Sequence, residues 1–168
     1  ISVLVREVAE FLQCRNDGIY VDATLGSGGH ALHLFRQYPG IGRLIGIDCD
    51  HEAVQRAAVV LGEFSARTTV LQGNFRDLRE LLAGIGVDRI DGIVFDLGVS
   101  TPQLKDPARG FGFSQEGILD MRMDRTQGVS AKDMLASVSE RGLTDILYRF
   151  GQERWAKRIA RHIVRSRQ

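Results

Sequence analysis

The sequence predicts an α/β protein built on parallel strands, and three observations carry that prediction. Short apolar or β-branched runs at 19–23, 44–47, 68–71 and 90–97 alternate with amphipathic stretches, the pattern of strand–helix units joined by right-handed crossovers. A glycine cluster, Gly26, Gly28 and Gly29, follows the first run at once. Three carboxylates, Asp22, Asp48 and Asp96, stand at the C-terminal ends of the first, second and fourth runs. That edge is where open α/β sheets bind ligands.

The elements follow in order. Residues 3–12 place apolar side chains at 4, 5, 8, 11 and 12, a helical stripe, and Asn16-Asp17-Gly18 is a turn before the first strand at 19–23. A helix over 28–38 starts at the glycine turn and ends at Pro39-Gly40. The second strand is 44–47. Asp50 is placed to cap a helix running to Gly62. Strand 68–71, a helix near 78–83 and strand 90–97 complete the alternation. Residues 98–117 are rich in Gly, Pro, Ser and Asp and predict a long ordered loop of the kind that tends to be functional. From Ser130 the pattern is helical, at about 131–138, about 140–150 and from 153 to the end. Ser130-x-x-Asp133 and Ser137-x-x-Glu140 both have capping-box spacing.

Composition narrows the classes. With 168 residues, 43% hydrophobic and 26% charged, the chain suits one well-buried globular domain, or one domain with a small appendage. No apolar run approaches the roughly 20 residues of a membrane span, and no secretory signal is visible, so a cytoplasmic protein without membrane contact is expected. Cys14 and Cys49 form no C-x-x-C pair, and the four histidines have no ligand spacing, so neither a disulfide nor a metal is expected. The net charge of +1 is unevenly spread: residues 1–100 carry 9 Arg against 13 Asp/Glu, and residues 101–168 carry 13 Lys/Arg against 8 Asp/Glu. Six basic residues and no acid follow from Arg154 onward, which points to a polyanionic partner for the C-terminal part. The absence of an initiator Met and the end at Arg165-Ser166-Arg167-Gln168, without a helix stop signal, read as a fragment of a longer protein.

Strand, glycine turn, helix, strand and carboxylate is the way a Rossmann-like half grips an adenosine-containing cofactor. Glycines allow close backbone approach, and a carboxylate at Asp48 can accept hydrogen bonds from ribose hydroxyls. The glycines depart from G-x-G-x-x-G, since His30 and Ala31 follow. Asp22, just before the turn, repels a pyrophosphate but tolerates a sulfonium and an amino group. Charge therefore favours S-adenosylmethionine over NAD. Phe75 can stack on the adenine, with Asn74 beside it, or can anchor the next helix in the core. Asp96 either orients the reaction or binds cofactor only.

Thr24-Leu25-Gly26-Ser27-Gly28-Gly29-His30, Ile47-Asp48-Cys49-Asp50, the run from Asp96-Leu97-Gly98-Val99-Ser100-Thr101-Pro102-Gln103 to Leu104, Arg109-Gly110-Phe111 and Leu119-Asp120-Met121-Arg122-Met123-Asp124 occur in that order. Together with Gly151-Gln152-Glu153-Arg154-Trp155-Ala156-Lys157-Arg158-Ile159-Ala160 they closely resemble the MraW/RsmH family of bacterial rRNA methyltransferases. The resemblance spans essentially this whole chain and about the first half of the family's length. It implies the first four strands of a Rossmann-like S-adenosylmethionine-dependent methyltransferase sheet, with a cofactor-binding part at 1–104. An ordered loop and the start of a helical, RNA-facing insertion then fill 105–168. It also implies methylation of the N4 amine of a cytidine in the decoding region of 16S rRNA in the small ribosomal subunit, and leaves a homodimer open.

Cofactor positions implied by the resemblance are Gly28, Gly29, His30, Asp48, Phe75, Asp96 and Gln103. Thr101 and Gly112 stand where the family usually has Ser, and Cys49 where a basic residue is common. In amino-methyltransferases the loop after the fourth strand holds the target amine, which makes Asp96 and Ser100 the catalytic candidates. No covalent enzyme intermediate is needed, and positioning supplies much of the acceleration. Phe111 or Phe113 can stack on an extruded cytosine or anchor the loop. The same segment imitates the start of an RNA-recognition motif, but Ser114 and Glu116 stand where Val and an aromatic are needed. Asp120 and Asp124 can contact the base, although ion pairs with Arg122 and Arg125 are favoured. Arg154, Arg158, Arg161 and Arg165 share one helical face and form a solvated surface or a phosphate track, with RNA favoured. Trp155, Ile159 and Ile163 line another face and are expected in a core or domain contact. The rival readings are an NAD-dependent oxidoreductase and a non-catalytic ribosome-assembly module that retains the cofactor pocket.

Overall fold

The computed structural model describes residues 2–114 and 116–167. The chain divides into two compact units, Ile1–Gly98 and Val99–Gln168. In the first, β1 (Ile19–Asp22) lies between β2 (Arg43–Asp48) and β4 (Gly92–Val94), and β3 (Thr68–Gln72) flanks β2. All pairs are parallel, in the order β3-β2-β1-β4. The helices are α1 (Val5–Leu12), α2 (Gly29–Gln37), α3 (His51–Val60) and α4 (Leu78–Gly84).

Period-two alternation divides the side chains between the two faces of the sheet. Tyr20 and Leu44 join Ala9, Ala31, Leu34, Phe35, Ala57 and Leu61 from α1, α2 and the α3 end in one buried cluster. Val21, Ile45 and Ile47 join Leu82 of α4 and Val87 in the other. At the rim of the first cluster, Phe35 and Phe64 stack with centroids 4.5 Å apart. The Arg67 guanidinium lies over both rings and donates to the carbonyls of Pro39 (2.7 Å) and Ile41 (2.8 Å). Gly46 of β2 is required by crowding: a Cβ there would lie 2.5 Å from the Leu25 side chain, itself buried in the first cluster.

The fourth strand is shorter than the expected 90–97. At its start the Asp91 N–H still donates to the Ile19 carbonyl (2.7 Å), while the Asp91 carboxylate accepts the Ile19 N–H (2.7 Å) and an Arg15 guanidinium N–H. At its end the Asp96 N–H turns to the Thr24 hydroxyl (2.7 Å).

In the second unit, the expected loop at 98–117 contains a short helix, α5 (Thr101–Lys105), and a 3₁₀ turn at Pro107–Arg109. Ser100 and Gln103 close a capping box and Pro102 sits in the first turn, signals that the loop reading overlooked. Then come α6 (Ala131–Ser137), α7 (Glu140–Arg149) and α8 (Ala156–Ser166). Ser130 caps α6 as expected, accepting the Asp133 N–H at 3.1 Å. The Ser137 cap is not formed: Ser139 caps α7 through Gly142, and the Ser137 hydroxyl donates back to Asp133 O (3.1 Å). Helix α8 starts three residues later than expected because the Glu153 carboxylate accepts the Trp155 N–H (2.7 Å) ahead of it. Its expected final residue, Gln168, lies outside the described residues, as do Ile1 and Gln115. Leu143, Ala156 and Ala160 are the buried contacts of α7 and α8, whereas Trp155 is half exposed rather than packed in a core. Arg167 donates to the carbonyls of Leu135 (2.8 Å) and Val138 (2.7 Å) at the end of α6. No helix among the described residues is long and apolar enough to cross a membrane.

Overpacking at Gly46 gives a direct check on this core. Gly46→Ala is expected to cost about 1–3 kcal/mol, measured by urea unfolding; an unchanged midpoint contradicts the packing described.

Candidate functional site

Strand β1 ends in Asp22, a side chain with no solvent exposure. Its Oδ1 accepts the Thr24 N–H at 3.2 Å, and its Oδ2 has no hydrogen-bond partner. Burial pushes the Asp22 carboxyl up to about 6; the Thr24 N–H and His30 oppose that rise, and the charges of Asp48 and Asp96 add to it.

The chain then turns through Gly26 (φ +54°) and Gly28 (φ +80°), left-handed values that cost glycine little and strain other residues. The turn is held from β2. Gly26 N–H donates to Asp48 Oδ2 at 2.8 Å, and Asp50 N–H donates to Asp48 Oδ1 at 2.9 Å. Asp50 in turn caps α3 by accepting the Glu52 N–H at 3.1 Å, as the sequence predicts. Each Asp48 oxygen therefore keeps one further lone pair for a ligand hydroxyl.

Gly28 is the N-cap of α2, and Gly29 and His30 form its first turn. His30 is buried, with Nε2 2.8 Å from the Val3 carbonyl. A carbonyl only accepts, so this contact places a hydrogen on Nε2. Nδ1 then faces Asp96 Oδ2 at 4.0 Å. Asp96 itself is half exposed, with its backbone fixed on Thr24. Phe75 opens the 3₁₀ turn after β3; its ring meets Phe95 edge-on at 5.6 Å, and both rings remain partly exposed. Asn74 spends its side-chain oxygen on the Arg76 N–H (2.9 Å).

The first unit thus gathers Gly28, Gly29, His30, Asp48 and Asp96 at the C-terminal edge of β1, β2 and β4, with Phe75 just past β3. Sequence reasoning missed Thr24, which ties Asp96 to the turn, and Phe95, which sets the ring of Phe75. A hydroxyl two residues after a strand-end carboxylate was the visible signal for the first; an apolar residue in an expected strand gave none for the second.

In the second unit, the Ser100 N–H donates to Gln103 Oε1 (2.8 Å), and Gln103 is buried. Asp120 is held in a two-point pair by Arg122 (2.8 and 2.9 Å), with Arg125 at 3.7 Å. The Arg122 hydrogen bonds hold its carboxyl well below the usual carboxylate range. Asp124 accepts from the Thr126 N–H and hydroxyl (2.8 and 2.6 Å), and these bonds lower its pKa. Buried Arg109 donates to the carbonyls of Arg122 (3.1 Å) and Met123 (2.9 Å), so this segment is folded on itself. Phe113 is fully exposed and Phe111 half buried. Arg154, Arg158, Arg161 and Arg165 are exposed; Arg161 meets Glu140 at 3.4 Å, and Arg154 lies over the Trp155 ring. Cys14 and Cys49 are not joined in a disulfide, and burial pushes the Cys14 thiol up to about 11. Among the described residues no cluster of His, Cys, Asp and Glu is arranged to hold a metal.

Chemically, the first-unit site offers hydroxyl acceptors, a partly exposed aromatic pair and a buried carboxylate oxygen that lacks a donor. That set suits an adenosine bearing positive charge and opposes a pyrophosphate.

The family model described as the MraW methylase family matches residues 1–168. Among solved structures, an rRNA methylase from Streptococcus thermophilus is 21% identical, with a TM-score of 0.48 over 58% of this chain and 57% of that one. SMU.1697c from Streptococcus mutans, in complex with SAH, is 16% identical, with a TM-score of 0.50 over 60% of this chain and 55% of that one. NSun6 from Pyrococcus horikoshii, with SFG, is 16% identical, with a TM-score of 0.50 over 95% of this chain and 34% of that one. The chain spans about half the length of the two streptococcal proteins, and at 16% identity the likeness to SMU.1697c and NSun6 is one of fold.

The Asp22 carboxyl, at about 6 when folded and 3.8 ordinarily, adds its full share of stability below about pH 4 and loses it as pH climbs through 6. Asp22→Asn has no charge to bury. It is expected to gain up to about 3 kcal/mol on the native chain between about pH 4 and pH 7 in urea unfolding. A difference that stays constant with pH contradicts this.

Proposed function

The chain belongs to the MraW methylase family, and from that premise we propose that it methylates the N4 amine of a cytidine in the decoding region of 16S rRNA, using S-adenosylmethionine. The observation that carries the cofactor reading is the buried, donor-lacking Asp22 oxygen beneath a glycine turn clamped by Asp48. Its negative charge suits a cationic cofactor. When bound, S-adenosylmethionine supplies an electrophilic methyl group.

The residues divide the work. Asp48 holds the turn with one lone pair of each oxygen and takes the ribose hydroxyls with the others. Gly28 and Gly29 let the backbone approach the ligand. Phe75, steadied edge-on by Phe95, flanks the adenine. His30, with its Nε2 hydrogen on the Val3 carbonyl, sets the Nδ1 side toward Asp96.

Asp96 accepts hydrogen bonds from the target amine and takes the proton the nitrogen loses. A cytosine N4 lone pair is conjugated into the ring and weakly nucleophilic, so an acceptor that favours its pyramidal form assists. Ser100 and Gln103 keep the roles that the family resemblance implies, in orienting the amine and binding cofactor.

The rRNA reading draws on the second unit, whose 13 Lys/Arg outnumber 8 Asp/Glu. The open surface along α8 presents Trp155, Ile159 and Ile163 beside Arg158, His162 and Arg165, an apolar strip flanked by basic groups that suits base stacking and phosphate contact with single-stranded RNA. Phe113, fully exposed, is assigned in this reading to stacking on an extruded base.

Two measurements test this. Mass-spectrometric mapping of small-subunit rRNA is expected to lose one N4-methylcytidine when the gene is deleted. The native gene restores it and Asp96→Ala does not; an unchanged map overturns the assignment, and restoration by Asp96→Ala removes Asp96 from the chemistry. In RNA binding, Arg158→Glu and Arg165→Glu are each expected to weaken affinity across sequences and to lower the salt slope by about 1. An unaltered slope returns this face to ordinary solvated surface.

A further inference from the structure

Asp50 and Asp120 are buried carboxylates whose groups are engaged, by the Glu52 N–H and by Arg122. Asp22 differs. It is wholly buried, it has a single N–H on Oδ1, and Oδ2 meets no donor. The groups that face it are His30 from α2, Asp48 from the end of β2, Asp96 past β4 and the Thr24 N–H. Two of these are further carboxylates, and His30 has its Nε2 committed to Val3. A charge on Asp22 in this enclosure therefore depends on what occupies the site, because water does not reach it to screen the charge.

The cofactor proposed above and its demethylated counterpart differ at one atom. Sulfur is a positive sulfonium in S-adenosylmethionine and a neutral thioether in S-adenosylhomocysteine; the amino acid and nucleoside charges are the same in both.

We propose that Asp22 is the residue by which the site tells the cationic ligand from the neutral one, giving up its proton more readily when a sulfonium is bound than when a thioether is bound. Binding of S-adenosylmethionine to the protonated form favours loss of the Asp22 proton to solvent, while binding of the thioether leaves it in place. Preference for the methylated form is then set by pH, and the spent form is favoured where Asp22 keeps its proton. The empty-site carboxyl at about 6 places the change near neutrality.

The proposal rests on the cofactor reading, and calorimetry separates the two. S-adenosylmethionine and S-adenosylhomocysteine are each titrated into the full chain between about pH 5 and pH 7, in buffers of different ionisation enthalpy. The ratio of the two affinities is expected to shift toward S-adenosylmethionine by about fivefold over that range if the sulfonium lowers the carboxyl's pKa by one. Proton release is expected with the sulfonium and not with the thioether. Asp22→Asn is expected to flatten the ratio, and the native pH series stands as a test whether or not that variant folds. Binding of both ligands with a ratio constant in pH overturns the proposal alone. Binding of neither overturns the cofactor reading and this proposal with it.

Discussion

The carboxylate of Asp48 is the interaction on which the site depends. One oxygen takes the Gly26 N–H from the turn after β1, and the other takes the Asp50 N–H at the start of the next helix. A charged acceptor makes each bond stronger than a neutral one and fixes the turn against the tip of β2. The left-handed conformations of Gly26 and Gly28 are held in that frame, and α2 begins from it. Asp50, placed by the same clamp, caps α3. Removing the charge loosens the glycine turn and the entry to α3 together.

Around this clamp the first unit concentrates negative charge, and the second unit positive charge. In the first, Asp22, Asp48 and Asp96 share a small volume with His30, and the cost appears in the raised carboxyl of Asp22. A fold tolerates such a cost where function uses it. In the second, Asp120 is neutralised locally by Arg122, so the arginines left exposed on and before α8 set that unit's surface potential.

Most of the sheet was legible because it is written locally. β-branched and apolar runs alternate with helical stripes, Asp50 sits where a cap belongs, and the strand-end carboxylates mark the binding edge. The misplaced boundaries and cap share a cause: a side chain took a partner that spacing does not reveal. The Asp91 carboxylate took the Ile19 N–H at the start of β4, and Thr24 drew Asp96 away at its end. Ser139 won the α7 cap from Ser137, which bonded backward instead. Helix α5 was missed although its Ser-x-x-Gln box and proline are in plain view, because the glycine-rich surroundings outweighed them. At the site, Gly28, Gly29, Asp48 and Asp96 were readable from position alone. The His30–Val3 contact and the Phe75–Phe95 pair were not, since each joins residues distant in sequence.

The central claim is that the Asp48 charge both shapes the glycine turn and holds the cofactor's sugar. Titrating S-adenosylmethionine into the native chain and into Asp48→Asn by calorimetry addresses it directly. An Asn amide presents a donor where one of the two backbone N–H groups requires an acceptor. The account predicts an affinity loss of about tenfold or more with the folded state retained. Equal affinity in the two proteins contradicts it.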